Sequence, residues 1–176
     1  MNIFVGCSSR DTNNEEYNKL AEDIGKFIVN GNHNFVFGGC GTGLMGKIYS
    51  VVSKSHNSEI IVTMAEAYKK QLDDISYDRF YILGTVNERK DCFIKLSDVM
   101  IFIPGGIGTI DELLTAIETK RSKQHNSPII IININHYFDN LLNMLQQIYD
   151  EGFADSKNQE LYFVVNSLDD AIKYLK

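Results

Sequence analysis

The chain has 176 residues, of which 44% are hydrophobic, and it carries a formal net charge of −6 at pH 7. This length supports one ordinary domain with its own hydrophobic core. The acidic balance argues against a broad surface for nucleic acid or anionic membranes, and no apolar run approaches the roughly 20 residues that span a bilayer. Any anion-binding site must therefore be local.

In chain order, the first half predicts a strand at 2–7, a helix at 14–29, a strand at 35–37, a helix at 44–55, and strands at 59–64 and 79–83. The second half predicts a helix at 87–96, a strand at 99–103, a helix that ends near 121, a strand at 128–134, a helix at 138–151, a strand at 161–165 and a helix at 168–175. Residues 65–78 are polar and give the least clear pattern, so we expect a short helix and then a mobile loop there.

Strands that are continuously apolar and alternate with helices are typical of a parallel sheet covered on both faces. Right-handed crossovers then give a single-domain, Rossmann-like α/β fold over residues 1–176, with a doubly wound, mostly parallel sheet. Ligands in such folds bind at the carboxyl ends of the strands. The segments that follow strands are therefore the places to look for function.

The most informative of these segments joins the strand at 99–103 to the next helix. It has the sequence Pro104-Gly105-Gly106-Ile107-Gly108-Thr109-Ile110-Asp111-Glu112. The proline fixes the entry to the turn, and the three glycines let backbone N–H groups approach an anion closely. The helix N-terminus adds its dipole and its unpaired donors. The segment predicts a site for a phosphate-bearing ligand, with Glu112 one helical turn above it.

A purely structural explanation of the same segment remains open. Thr109-x-x-Glu112 is also the pattern of a capping box, in which Thr109 caps the helix and Glu112 bonds back to the cap N–H. A second cluster, with five glycines among residues 38–46, favours the ligand-binding explanation. This cluster is not the dinucleotide fingerprint, which follows the first strand and leads to an acidic residue about 20 positions later.

Two further features fall where strands end. Ser8, in the turn Gly6-Cys7-Ser8-Ser9, could donate to a phosphate or ribose, although a plain turn is favoured for that segment alone. Arg89 and Lys90 lie near a helix start, where cations oppose the helix dipole. We therefore expect an anion or carboxylate partner for them, and a solvated basic pair is the alternative.

These segments together resemble the LOG proteins, cytokinin-activating phosphoribohydrolases that were once described as lysine decarboxylases. The resemblance runs from Cys7-Ser8-Ser9 to Glu151-Gly152-Phe153. It is carried by residues 104–112, Arg89-Lys90, Gly38-Gly39, Gly43-Leu44-Met45-Gly46 and Tyr137-Phe138-Asp139-Asn140-Leu141-Leu142.

The resemblance implies that Arg89 and Glu112 are the catalytic pair and that the glycine-rich loop holds the 5′-phosphate of a nucleoside monophosphate. It also implies a homodimer and a reaction without metal or organic cofactor. The residues expected to contact substrate or phosphate are Ser8, Gly39, Met45, Lys90, Gly105, Gly106, Gly108 and Thr109.

The chain departs from the family in two places. Val86-Asn87 stands where the family usually carries Met-His, and residues 63–67 replace a proline-containing strand end. We expect both segments to border the base and the mouth of the pocket. They therefore bear on which base is bound more than on which reaction is catalysed.

The expected reaction is hydrolysis of the N-glycosidic bond of AMP, or of a cytokinin-type N6-modified AMP, to free base and ribose 5-phosphate. Glu112 would stabilise the oxocarbenium-like transition state and orient or deprotonate the attacking water, and Arg89 would keep Glu112 ionised. A non-catalytic nucleotide sensor or carrier of the same fold is the main rival. An NAD-type oxidoreductase and a lysine decarboxylase are weaker alternatives. The sequence shows neither the dinucleotide fingerprint that the first requires nor a pyridoxal-phosphate lysine for the second.

The remaining expectations concern compartment and assembly. Three widely spaced cysteines predict neither a disulfide framework nor a zinc site, and the N-terminus lacks the pattern of a signal peptide, so we expect a cytoplasmic protein. Apolar helix residues could form a dimer interface, although core packing could also consume them. These residues are Leu113, Leu114, Ile117, Leu141, Leu142 and Leu145, and the candidates to reach a partner's pocket are Glu118, Arg121 and Lys123.

Overall fold

One parallel sheet of seven strands organises the computed structural model, which describes residues 1–72 and 75–175. The strand order is β4-β3-β2-β1-β5-β6-β7. The order reverses between β1 and β5, which is the kind of switch point where ligands bind. The strands are β1 (Asn2–Gly6), β2 (Asn34–Phe37), β3 (Ile60–Ala65), β4 (Arg79–Leu83), β5 (Val99–Phe102), β6 (Ile129–Ile132) and β7 (Phe163–Val165).

Helices cover both faces of this sheet, as the continuous apolar strands predict. The four isoleucines of β6, for example, are all fully buried. Helices α1, α2 and α6 pack on one face and α3, α4 and α5 on the other. The helices are α1 (Glu15–Asn30), α2 (Gly43–Val52), α3 (Val86–Leu96), α4 (Ile107–Arg121), α5 (Asp139–Asp150) and α6 (Leu168–Ile172).

The doubly wound, Rossmann-like fold is thus confirmed, with differences at element ends. A short helix is present at Glu66–Leu72, whereas the expected loop includes Asp73 and Asp74, which lie outside the described residues. Strand β7 begins later than expected because Ser156–Leu161 form a 3₁₀ turn. None of the helices in the described part of the chain is long and apolar enough to cross a membrane.

Strand register brings the loops after β1 and β5 together. Gly6, at the end of β1, pairs with Phe102, at the end of β5. Two residues further on, the Ser8 N–H donates to the Pro104 carbonyl at 3.1 Å. The two segments that the sequence singles out at these strand ends are therefore neighbours in space.

Candidate active site

A cleft of about 380 Å³ lies at the carboxyl ends of five neighbouring strands. Its volume is within the range of small-molecule sites. One end is formed by residues 106–109, after β5, and by residues 7–10, after β1. The other end is formed by Met64, near the end of β3, by Tyr68, after β3, and by Val86, after β4. Gly38, Cys40 and Met45 lie between the two ends.

A buried ion pair lies in this cleft. Arg89, from α3, donates through Nη1 to Oε1 of Glu112, from α4, at 2.8 Å, and its Nη2 donates to the same oxygen. The two side chains are only 13% and 9% exposed. No donor among the described residues bonds to Oε2 of Glu112. The pair therefore fixes one carboxylate oxygen and leaves the other for a ligand.

The surroundings of Glu112 also perturb its ionisation. Burial raises the pKa of the Glu112 carboxyl above its ordinary value, and the neighbouring Arg89 guanidinium opposes this rise. Burial also raises the pKa of the Cys7 thiol, and the Glu112 carboxylate adds to that effect. Cys7 therefore remains a neutral thiol beside the carboxylate. A buried carboxylate with a perturbed pKa in a cleft is typical of functional sites.

The alternative explanation, in which Thr109 and Glu112 form a capping box, is wrong. Helix α4 begins at Ile107 with Gly106 as its N-cap, so Thr109 is already inside the helix, and no side chain caps this end. The capping box lies instead at the start of α3, where Thr85 accepts from the Glu88 N–H and the Glu88 side chain accepts from the Thr85 N–H. Glu112 is thus free of any capping function.

The uncapped start of α4 leaves helix donors open to the cleft. The N–H groups of Ile107, Gly108 and Thr109 have no hydrogen-bond partner in the part of the chain that the structure describes. All three residues line the cleft. Unpaired N–H groups and the positive end of the helix dipole together favour an anion at this position.

The loop before α4 is held from two sides. A Cβ atom on Gly105 would collide with the Thr109 hydroxyl and lie 2.9 Å from the Ser8 nitrogen, so this position requires glycine. The Tyr137 hydroxyl donates to the Gly105 carbonyl at 2.5 Å. Tyr137 itself follows two residues with left-handed backbone, Asn135 and His136. Gly105 therefore shapes the loop, and the cleft is lined by Gly106 and Gly108.

Both basic residues at the start of α3 have the expected carboxylate partners. Lys90 Nζ donates to Oδ1 and Oδ2 of Asp111 at 2.8 and 2.9 Å, and the Lys90 side chain is 10% exposed. The alternative of a solvated basic pair is therefore wrong. Lys90 is not among the residues that line the cleft, whereas Asp111 is. Lys90 thus orients a cleft carboxylate, and its expected contact with substrate stays a prediction.

Other expected contacts differ in how directly they face the cleft. Met45, Gly106, Gly108 and Thr109 line it, whereas Gly39 and Gly105 do not. Ser8 lines it, but its hydroxyl donates to the Arg10 carbonyl at 2.8 Å and accepts from the Arg10 N–H at 3.0 Å. The Ser8 hydroxyl therefore stabilises its own turn.

The structure adds cleft residues that the sequence did not single out. Arg10 and Tyr68 line the cleft, and neither belongs to a pattern that marks a site from sequence alone. Asp111 also lines it and lies in the segment 104–112, but no role was expected of it there. The two segments that depart from the family, residues 63–67 and Val86-Asn87, were expected to border the pocket. One residue of each, Met64 and Val86, lines the cleft. No group of three His, Cys, Asp or Glu side chains in the described residues could hold a metal ion.

Known proteins share this sequence pattern. A family model described as "possible lysine decarboxylase" matches residues 45–175. A probable cytokinin riboside 5′-monophosphate phosphoribohydrolase of Oryza sativa subsp. japonica is 29% identical over 94% of this chain and 72% of its own length. The cytokinin riboside 5′-monophosphate phosphoribohydrolase of Rhodococcoides fascians is 25% identical over 99% of this chain and 88% of its own length.

Solved structures share the fold at lower identity. The Moco carrier protein of Chlamydomonas reinhardtii superposes with a TM-score of 0.70 and 19% identity, over 99% of this chain and 94% of its own. The molybdenum cofactor binding protein of Rippkaea orientalis superposes with a TM-score of 0.69 and 18% identity, over 99% of this chain and 93% of its own. At these identities, the likeness is one of fold.

Proposed function

We propose that this chain, which belongs to the LOG family, hydrolyses the N-glycosidic bond of a nucleoside 5′-monophosphate. The products are the free base and ribose 5-phosphate. The observation that carries the proposal is the buried Arg89–Glu112 pair, which shares one cleft with the uncapped start of α4. A carboxylate and an anion site in one cleft match the two ends of a ribose 5-phosphate group.

The phosphate is proposed to bind at the start of α4. The open N–H groups of Ile107, Gly108 and Thr109 are the donors there, and a Cβ atom on Gly106 or Gly108 would meet no protein atom. The phosphate is remote from the bond that breaks. Its binding energy can therefore be used to hold C1′ in place for reaction, which raises kcat as well as affinity.

Glu112 is proposed to act at C1′ through Oε2. The C1′–N bond breaks with its electron pair going to the base, and positive charge develops on the ribose. The water oxygen bonds to C1′ as water loses a proton, and the departing base takes up a proton, so that free base and ribose 5-phosphate result. A carboxylate stabilises that charge and can accept a proton from the attacking water. Arg89 holds Oε1 and keeps the carboxylate oriented. As the resemblance implies, we propose a reaction without metal or organic cofactor.

The base is proposed to lie at the opposite end of the cleft, toward β3 and β4. Met64, Tyr68 and Val86 make that end largely apolar, and Met45 lies beside them toward the middle of the cleft. Such a surface suits the face of a purine and an apolar substituent on it. We therefore propose AMP or an N6-modified AMP as the substrate, in agreement with the names of the relatives.

A non-catalytic carrier is the second candidate. It is favoured by the likeness in fold to proteins named as carriers or binders of the molybdenum cofactor. The same cleft would then hold a phosphate-bearing ligand without breaking a bond. Product formation is the property that separates the two candidates, since fold alone does not determine function.

We expect base release from AMP or isopentenyl-AMP, and much slower release from adenosine. The deficit with adenosine should appear partly in kcat, because the missing phosphate would otherwise help to place C1′. The assay measures free base by chromatography for AMP, GMP, CMP, UMP, isopentenyl-AMP and adenosine. Similar kcat/KM values for AMP and adenosine would contradict the phosphate site. Tight AMP binding without release of base would support the carrier.

We also propose that the protein is a homodimer. Leu113, Ile117 and Leu145, which the sequence offers for an interface, are buried in the core of the single chain. Exposed apolar side chains remain on α4 and α5, with Leu114 39% and Met144 54% exposed. Light scattering at micromolar concentration should give twice the chain mass of 20.0 kDa. A fully active species of single-chain mass would contradict the dimer and any site shared across it.

The proposed compartment is the cytoplasm. Cys7, Cys40 and Cys92 are all free thiols in the structure. Free thiols are typical of proteins that work in a reducing compartment.

A further inference from the structure

We infer that Arg10 is a phosphate-binding residue that completes the anion site at the start of α4 and makes the cleft select ligands with a 5′-phosphate. The inference rests on the proposed function, because it assumes that the phosphate lies at this end of the cleft. It assigns a ligand contact to a residue outside both the catalytic pair and the glycine-rich loop.

Among the described residues that line the cleft, Arg10 is the cation available to a ligand. Among the residues that the structure describes, four charged side chains line it, namely Arg10, Arg89, Asp111 and Glu112. Arg89 is paired with Glu112, and Asp111 is paired with Lys90. Arg10 has no carboxylate partner among the described residues. A phosphate monoester adds a charge of about −1.5 to −2 at neutral pH, which the two existing ion pairs do not balance.

The backbone on both sides of Arg10 is fixed. Its N–H and carbonyl are both bonded to the Ser8 hydroxyl. The loop after β2 also holds this segment, because Thr42 Oγ1 donates to the Ser9 carbonyl at 2.7 Å and the Gly43 N–H donates to Asp11 Oδ1 at 3.1 Å. The position of the Arg10 Cα is therefore set by hydrogen bonds rather than by a loose turn.

Gly43 permits this contact between the loops. Its φ of 67° lies in the left-handed region, which favours glycine, and an added Cβ would lie 2.6 Å from the Ser8 oxygen and 2.7 Å from the Arg10 nitrogen. A glycine here thus allows the loop after β2 to support the turn that carries Arg10. The second glycine cluster therefore supports the anion site indirectly, because it holds in place the turn that carries Arg10.

The turn that carries Arg10 also contacts the loop before α4. The Ser8 N–H donates to the Pro104 carbonyl at 3.1 Å. Ser8 is two residues before Arg10, and Pro104 is three residues before the start of α4. The guanidinium group can bind two phosphate oxygens at once through its planar fork of donors. Arg10 from one side and the helix N–H groups from the other would then enclose the same phosphate.

The test compares Arg10→Ala and Arg10→Lys with the wild type, and it uses Lys54→Ala as a matched control. Lys54 is an exposed cation after the C-terminal end of α2, outside the cleft. The probe is ribose 5-phosphate, with binding measured by calorimetry and folding by thermal unfolding. We expect Arg10→Ala to bind it about tenfold to a hundredfold more weakly, the scale of a lost charge-assisted contact. The affinity of Arg10→Lys for ribose 5-phosphate should lie between those of the wild type and Arg10→Ala. The affinity of Lys54→Ala should match that of the wild type.

A pH comparison separates a phosphate contact from a structural role. The second ionisation of a phosphate monoester has a pKa near 6, so wild-type affinity should fall between about pH 7.5 and about pH 5.5. This fall in affinity should be smaller in Arg10→Ala. The variant lacks the cation that binds the phosphate dianion more tightly than the monoanion. In steady-state assays, the same variant should lose kcat/KM for AMP but keep that for adenosine.

The outcomes distinguish this inference from the proposed hydrolysis. Wild-type affinity in Arg10→Ala, an unchanged pH dependence, or no binding of ribose 5-phosphate by the wild type would each overturn the role of Arg10. If ribose 5-phosphate binds through Arg10 but no nucleotide releases its base, the anion site is supported and the hydrolysis is refuted. The calorimetric comparison does not depend on turnover.

Discussion

Replacing Glu112 by glutamine is expected to lower turnover of the nucleotide at least about a hundredfold, the scale of losing one key electrostatic group. The glutamine oxygen can still accept a hydrogen bond from Arg89, so the side chain keeps its place. It carries no negative charge, and it can neither stabilise an oxocarbenium-like transition state nor accept a proton from water. Because Glu112 makes no capping bond, the start of α4 should be undisturbed.

The measurement is kcat for AMP, with thermal unfolding to confirm that the variant is folded. Glu88→Gln is the matched control, because it makes the same substitution at an exposed glutamate next to Arg89 in sequence. Glutamine preserves the capping box that Glu88 forms with Thr85. The control should retain activity. Full activity in Glu112→Gln would remove this residue from the mechanism.

The pH profile gives a second readout of the same substitution. The proposed reaction requires the carboxylate form of Glu112, so we expect activity to fall as the pH drops through its pKa. Burial raises that pKa, so the fall should begin at a higher pH than for a carboxyl group with an ordinary pKa. Measured as kcat at saturating AMP, where protonation of the phosphate does not act through binding, the residual activity of Glu112→Gln should lack this acid limb, because its side chain does not titrate.

The fold follows from the sequence where local pattern and tertiary environment agree. The apolar runs of β5 and β6 predict buried parallel strands, and their residues are buried on both sides of the sheet. The start of α4 is different. Its first four residues are Ile107, Gly108, Thr109 and Ile110, which are poor helix formers, so the pattern places the helix start too late. Helix α4 begins at Ile107, three residues before the start that a cap at Thr109 would give.

The sequence predicted several residues of the candidate site, but it could not predict which side chains pair with each other. Arg89 and Glu112 were expected from the family resemblance, and the need for carboxylate partners followed from the helix dipole. Which carboxylate pairs with Lys90 could not be predicted, because Asp111 lies 21 residues away. No sequence pattern marked Arg10 as a candidate site residue. An arginine in a polar turn is ordinary in sequence, and only the neighbouring loops give it a place in the cleft.

Replacing Arg89 by lysine is expected to lower kcat/KM for AMP about tenfold to a hundredfold, although the positive charge is kept. Arg89 donates to Glu112 Oε1 through both terminal nitrogens, and its guanidinium carbon lies 6.0 Å from the centre of the Phe93 ring. A lysine has one nitrogen and no planar group, so it cannot reproduce this geometry. Glu112 would then keep a positive neighbour but lose its fixed orientation.

Arg79→Lys is the matched control for this substitution. Arg79 pairs with Glu59 at 2.8 Å, and the two side chains are partly exposed, at 40% and 51%. Exposed pairs contribute little to stability, and this pair is outside the cleft, so the control should keep its activity. The measurement is kcat and KM for AMP in both variants. Wild-type kinetics in Arg89→Lys would mean that Arg89 acts through its charge alone, and the geometric role assigned to its guanidinium group would be wrong.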